Sequence, residues 1–116
     1  MDKDIESLTE KLRAFAKARN WSEFHSPKNL ASALSVEAGE LLENFQWLTD
    51  EQSRNLNAAQ KQAAAMEAAD VFLYLLQLSD ALHIDLLDAA QKKLLINEQK
   101  YPIELARGNS KKYTEL

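Results

Sequence analysis

Apolar residues recur along this chain mostly at helical spacing. Ile5, Leu8, Leu12, Phe15 and Ala16 step along one face, with acids early and Lys17 and Arg19 late, which predicts a first helix over 5–19. The stretch that follows, NWSEFHS (20–26), carries large side chains where loops usually carry small polar ones. Trp21 and Phe24 there either plug the end of a bundle or belong to a site. Ser26 and Pro27 form a helix start, as N-cap and first helical residue, and the second helix is predicted to run to about Trp47. Residues 49–59 read as a polar connection with a turn of helix. A third helix follows from about Asn57 to Leu82, alanine-rich at first and then apolar almost all round, as a buried helix should be. Asp85 caps a fourth, which Pro102 ends, and about 103–116 is expected to be an irregular tail. Two glycines and two prolines leave few turns, so the expectation is an all-α, four-helix bundle-like fold in one domain spanning 1–116. VFLYLLQLSDAL holds more apolar surface than one short bundle easily hides, which predicts an oligomer.

Within this frame two acidic pairs stand out. Glu37 and Glu40 lie three apart on the second helix, and Glu67 and Asp70 three apart on the third, so each pair shares a face. Apolar neighbours border both, and an aspartate just before VFLYLLQL is expected to be substantially buried. Two such faces turned together would gather four carboxylates, an unfavourable arrangement unless a cation joins them. All-oxygen ligation suits Mg²⁺, or Mn²⁺ as a substitute. A di-iron bundle needs Glu-x-x-His pairs, and neither His25 nor His83 stands three residues after a glutamate. Gly39, inside the second helix, costs roughly 1 kcal/mol relative to alanine; close approach by a neighbouring helix would explain it, and so would a neutral accident.

Composition narrows the chemistry. There is no cysteine, which excludes disulfides, thiolate metal sites and a cysteine nucleophile. A net charge of −4 argues against a binder of nucleic acid polymers. The N-terminal MDKDIESLTEK lacks an apolar signal core, and VFLYLLQL is too short to span a bilayer, so a cytoplasmic protein without a membrane partner is expected.

The segments WSEFHSPKNL, VEAGELLENFQW, EAADVFLYLL and INEQKYPIELARGNSKKYTEL together resemble the all-α nucleoside triphosphate pyrophosphatases of the MazG-like superfamily. They are more similar still to its dCTP pyrophosphatase branch. The resemblance runs from about Trp21 to the C-terminus, broken mainly at 49–60, and the YPIELARGNSKKYTEL ending is its most specific part. It implies a MazG-type fold and Mg²⁺-dependent cleavage between the α- and β-phosphates, for nucleotide-pool clearance. It further implies that Glu37, Glu40, Glu67 and Asp70 ligate metal, that Trp21, His25, Trp47 and Tyr74 surround the nucleoside, and that Lys93 and Asn97 lie near the phosphates. Sites in this family form at subunit interfaces, implying a homodimer or a homotetramer made from dimers. One departure is Leu12, which stands where relatives selective for dCTP carry a histidine, and this bears on base selectivity rather than on phosphate chemistry.

Glu37 or Glu40 is the candidate to orient or deprotonate the attacking water. Arg107, Lys111 and Lys112 make the tail locally basic, suited either to a disordered end or to closing over an anion. The competing functions are a non-catalytic helical oligomerisation module, its acids being surface decoration, and a nucleotide sensor that binds without turnover.

Overall fold

Each helix of this chain begins and ends at residues whose chemistry sets the boundary. In this computed structural model, which describes residues 3–112 and 114, α1 spans Lys3–Ala18. It ends because Asn20 adopts a left-handed conformation (φ 54°), letting the Trp21 N–H reach the Ala16 carbonyl at 3.0 Å and the Asn20 N–H reach that of Lys17 at 3.1 Å. A 3-10 turn over Ser22–Phe24 follows, and α2 spans Pro27–Glu43. Ser26 caps α2 by accepting from the Asn29 N–H, while the Asn29 side chain donates to the Phe24 carbonyl at 2.9 Å and fixes the 3-10 turn to the helix. Short α3 (Asp50–Arg54) and long α4 (Ala58–Ala81) each open with a capping box, Thr49 with Gln52 and Asn57 with Gln60. The exit from α4 repeats that from α1, with His83 left-handed at φ 55° and Ile84 donating to Ser79. Asp85 caps α5 (Leu86–Lys100), and α6 is a single turn, Ile103–Ala106. Among the described residues there is no strand.

The boundaries correct the sequence reading in two places. The second helix stops at Glu43 rather than near Trp47, because the chain turns over residues 44–48 and Asn44 folds its side chain back onto the carbonyls of Glu40 and Leu41. The tail begins with a helical turn, started by Pro102, before becoming irregular. Residues 113, 115 and 116 of the YPIELARGNSKKYTEL segment lie outside those described.

The chain divides into a unit over residues 2–84, holding α1 to α4, and another from Asp85 onward, holding α5 and α6. In the first, α4 packs chiefly along α2 and less extensively against α1. Its centre is small. Leu30 and Leu76 are each 2% exposed, joined by buried Ala16, Thr9 and Ser79, and the Thr9 hydroxyl is satisfied by the Ile5 carbonyl at 2.8 Å. Arg13 on α1 donates through both Nε and Nη2 to the Asp80 carboxylate on α4, tying these helices together at one end. Much apolar surface stays uncovered: Val36 and Leu42 on α2, Phe72 on α4 and Leu82 just after it are all exposed. The apolar second half of α4 is therefore only partly buried within one chain. Gly39 meets nothing within 4 Å of where a Cβ would stand, so close approach within the chain does not explain it.

Candidate functional site

The packing of α2 along α4 turns the two acidic faces toward each other. Glu37, Glu67 and Asp70 each offer a carboxylate oxygen, and these oxygens lie within 4.8 Å of one another. Glu40 stands beside them, close enough to act on both glutamates. Its hydrogen bond with Glu37, then burial, then the negative charges of Glu40, Asp70 and Glu67 push the Glu37 carboxyl up to about 7. Glu67 is also raised, by burial first and then by the charge of Glu40 and a hydrogen bond with it. The Oε2 atoms of Glu37 and Glu67 are buried without a hydrogen-bond partner. Buried acceptors without donors, in a cluster of like charge, fit a divalent cation held by oxygen ligands. Asp70 departs from expectation: it is exposed, not buried. Its surface of α4 opens onto a cavity instead of lying under another helix.

That cavity, about 350 Å³, lies between α1, the 3-10 turn and α4. Asp70 and Tyr74 line one side, and Trp21 and His25 come from the turn region. Leu8, Leu12, Phe15 and Leu73 make the wall largely apolar, with Lys11 and Gln77 as further polar groups. The aromatic wall is ordered by its own contacts. The Phe15 and Trp21 rings meet edge to face at 5.7 Å between centroids, and the Arg19 guanidinium sits 3.7 Å over the Phe15 ring. Trp21 and His25 lie 6.2 Å apart, tilted. Trp21 is thus a cavity residue, while Phe24 is 60% exposed and plugs nothing. A smaller cavity of about 190 Å³ adjoins, sharing Leu12, His25 and Gln77 and reaching the Arg13–Asp80 ion pair.

The structure therefore brings Glu37, Glu67 and Asp70 together with Glu40 alongside, and joins Trp21, His25 and Tyr74 to Asp70 around one cavity. Trp47 does not line it; the side chain is 87% exposed in the turn after α2. Lys93 and Asn97 stand on α5 in the other unit, the first exposed and the second half-buried. Phe15, Lys11 and Gln77 went unnoticed in the sequence as site residues. Phe15 sits in register with the apolar stripe of α1, and only Gln77, a lone amide in VFLYLLQL, carried a signal. Among the described residues no helix is long and apolar enough to cross a membrane.

Known proteins resemble this chain over most of its length. The profile of the MazG-like family matches residues 32–116. dCTP pyrophosphatase 1 of Mus musculus is 43% identical over 104 residues, and that of Homo sapiens 44%; the alignments cover 88% of this chain and 61% of each relative. The chain thus spans about three-fifths of the length of these curated relatives. Among solved structures, a pyrophosphatase from Archaeoglobus fulgidus superposes with a TM-score of 0.81 at 39% identity, covering 88% of this chain and 95% of that one. With a profile match over most of its length and this identity to curated members, the chain belongs to the MazG-like family.

Proposed function

We propose that this chain is a nucleoside triphosphate pyrophosphohydrolase, using Mg²⁺ to convert dCTP or a related pyrimidine nucleotide to the monophosphate and pyrophosphate. One observation carries the reading: Asp70 belongs both to the carboxylate group and to the aromatic-lined cavity, so a cation site and a flat apolar pocket meet at one side chain. The names of the relatives, dCTP pyrophosphatase and pyrophosphatase, support the same chemistry. A bound divalent ion would supply neutralisation of the triphosphate and polarisation of the α-phosphorus. Glu37, Glu40, Glu67 and Asp70 would hold it. Glu37 or Glu40 takes the proton of the attacking water. Trp21, His25 and Tyr74 enclose the base.

The remaining assignments belong to the same proposal. Trp47 acts on the nucleoside, and Lys93 and Asn97 on the phosphates; the exposed Trp47 does so toward a second copy of the chain. Exposed Val36, Leu42, Phe72 and Leu82 support a homodimer or homotetramer, since apolar surface of this extent is costly to leave in water. The reaction takes place in the cytoplasm, with neither a nucleic acid polymer nor a membrane as partner.

The test is pyrophosphate release across a panel of nucleoside triphosphates with and without Mg²⁺, in wild type and Asp70→Asn. We expect Mg²⁺-dependent release strongest with dCTP, abolished in the variant while its helical circular dichroism stays intact. Full activity in Asp70→Asn would show the metal wrongly placed. A wild-type protein that binds dCTP without releasing pyrophosphate would be a sensor, and one that neither Mg²⁺ nor dCTP stabilises against heat would be an oligomerisation module.

A further inference from the structure

We propose that Gln77 sets base selectivity in this cavity, its carboxamide oxygen accepting a hydrogen bond from the exocyclic 4-amino group of a cytosine-type base. The inference rests on the nucleotide hydrolase reading and adds the residue that distinguishes one pyrimidine from another. Asp70, Tyr74 and Gln77 follow one another at i, i+4 and i+7 on α4, and all three line the cavity. Seven residues of helix advance about 10.5 Å. That span leads from the carboxylates, where a triphosphate would be held, past the aromatic wall to the far end of the pocket. A base stacked in the wall directs its hydrogen-bonding edge to that end, where Gln77 stands.

The orientation of the amide is set locally. Its Nε2 donates to the Leu73 carbonyl at 3.3 Å, one helical turn earlier, while Oε1 accepts from no described residue. Gln77 is only half-buried and lines both cavities. An amino group on the base would satisfy this oxygen. An oxo group in its place would set acceptor against acceptor, and turning the amide over would sacrifice the bond to Leu73. The charged groups beyond Gln77 do not compete, because Arg13 and Asp80 are paired with each other. Leu12 offers no hydrogen bond, so of the two residues shared with His25 between the cavities, Gln77 alone presents a fixed acceptor.

The experiment measures affinities for dCMP and dUMP by calorimetry, alongside kcat/KM for dCTP and dUTP, in wild type, Gln77→Leu and Gln77→Glu. The monophosphates report base recognition without needing turnover. Wild type should favour the cytosine member of each pair. Gln77→Leu, of similar size, should lower that preference about tenfold, the usual worth of one hydrogen bond lost against an unpaired partner. Gln77→Glu keeps an acceptor at the same reach and should retain it. A preference unchanged in Gln77→Leu, or absent in wild type, overturns the assignment. Should the monophosphate preference respond as stated while no triphosphate is cleaved, Gln77 stands as the base-reading residue and the hydrolase reading fails. Cleavage of dCTP with a preference indifferent to Gln77 leaves the hydrolase reading standing and overturns the role of Gln77.

Discussion

Titrating a divalent cation into the metal-free protein at pH 6 should release close to one proton per site. Glu37, crowded by Glu40 and partly withdrawn from water, titrates near 7 instead of the ordinary 4.5. A group with that midpoint holds about 0.9 proton at pH 6 and about 0.1 at pH 8. Ligation needs the carboxylate, so the proton must leave as the ion enters. Glu67, also raised, adds release in the same direction. The competition makes binding about tenfold weaker at pH 6 than at pH 8 from Glu37 alone. The sign for metal-free stability follows from the same shift. A carboxyl raised on folding stabilises the native state fully below 4.5, and that contribution is lost as pH rises through about 7. Calorimetry with Mn²⁺ in buffers of different ionisation heat counts the protons, since the observed heat varies with buffer heat in proportion to the number released. Glu37→Gln should remove most of the release at pH 6. No proton release at pH 6 in wild type, or an undiminished count in Glu37→Gln, would refute the account of a protonated carboxyl at the metal site.

Other expectations concern the scaffold. Leu76→Ala, at a side chain only 2% exposed, should cost about 2–5 kcal/mol in urea unfolding without changing the slope, and a cost below about 1 kcal/mol would mean the centre is repacked easily. Gly39→Ala should gain up to about 1 kcal/mol, because nothing occupies the space of the new methyl group; a loss would reveal that something outside the single chain rests there. Asp80, held below its ordinary 3.8 by the hydrogen bond from Arg13, stabilises the fold above that value and loses the contribution as pH falls through its still lower folded midpoint. Asp80→Asn should therefore melt lower than wild type at pH 6, the gap closing in strong acid; a gap that persists there would point to packing instead of charge.

Much of the fold could be read from residue order because its punctuation is local. Ser26–Pro27, Asn57 and Asp85 each announce a helix start, and each does so through its own side chain. The acidic pairs were legible for the same reason, since spacing of three fixes a shared face whatever lies opposite. What escaped depended on the other elements. The second helix ends early because Asn44 turns onto its own carbonyls, an event no apolar period records. Asp70 looks buried beside VFLYLLQL, yet its exposure depends on where α1 and the 3-10 turn leave a gap. Phe15 reads as core from its register and becomes wall because Arg19 and, from beyond the left-handed Asn20, Trp21 meet its ring.

That one aspartate belongs to two neighbourhoods has a thermodynamic corollary. Whatever changes the position or charge of the Asp70 carboxylate from the aromatic side is felt by its glutamate neighbours, and the reverse holds to the same degree. Occupancy of either compartment then alters the affinity of the other, by equal factors in both directions. On the function proposed above, a nucleoside lacking any phosphate should be enough to expose this reciprocity, as a displaced Mn²⁺ titration curve.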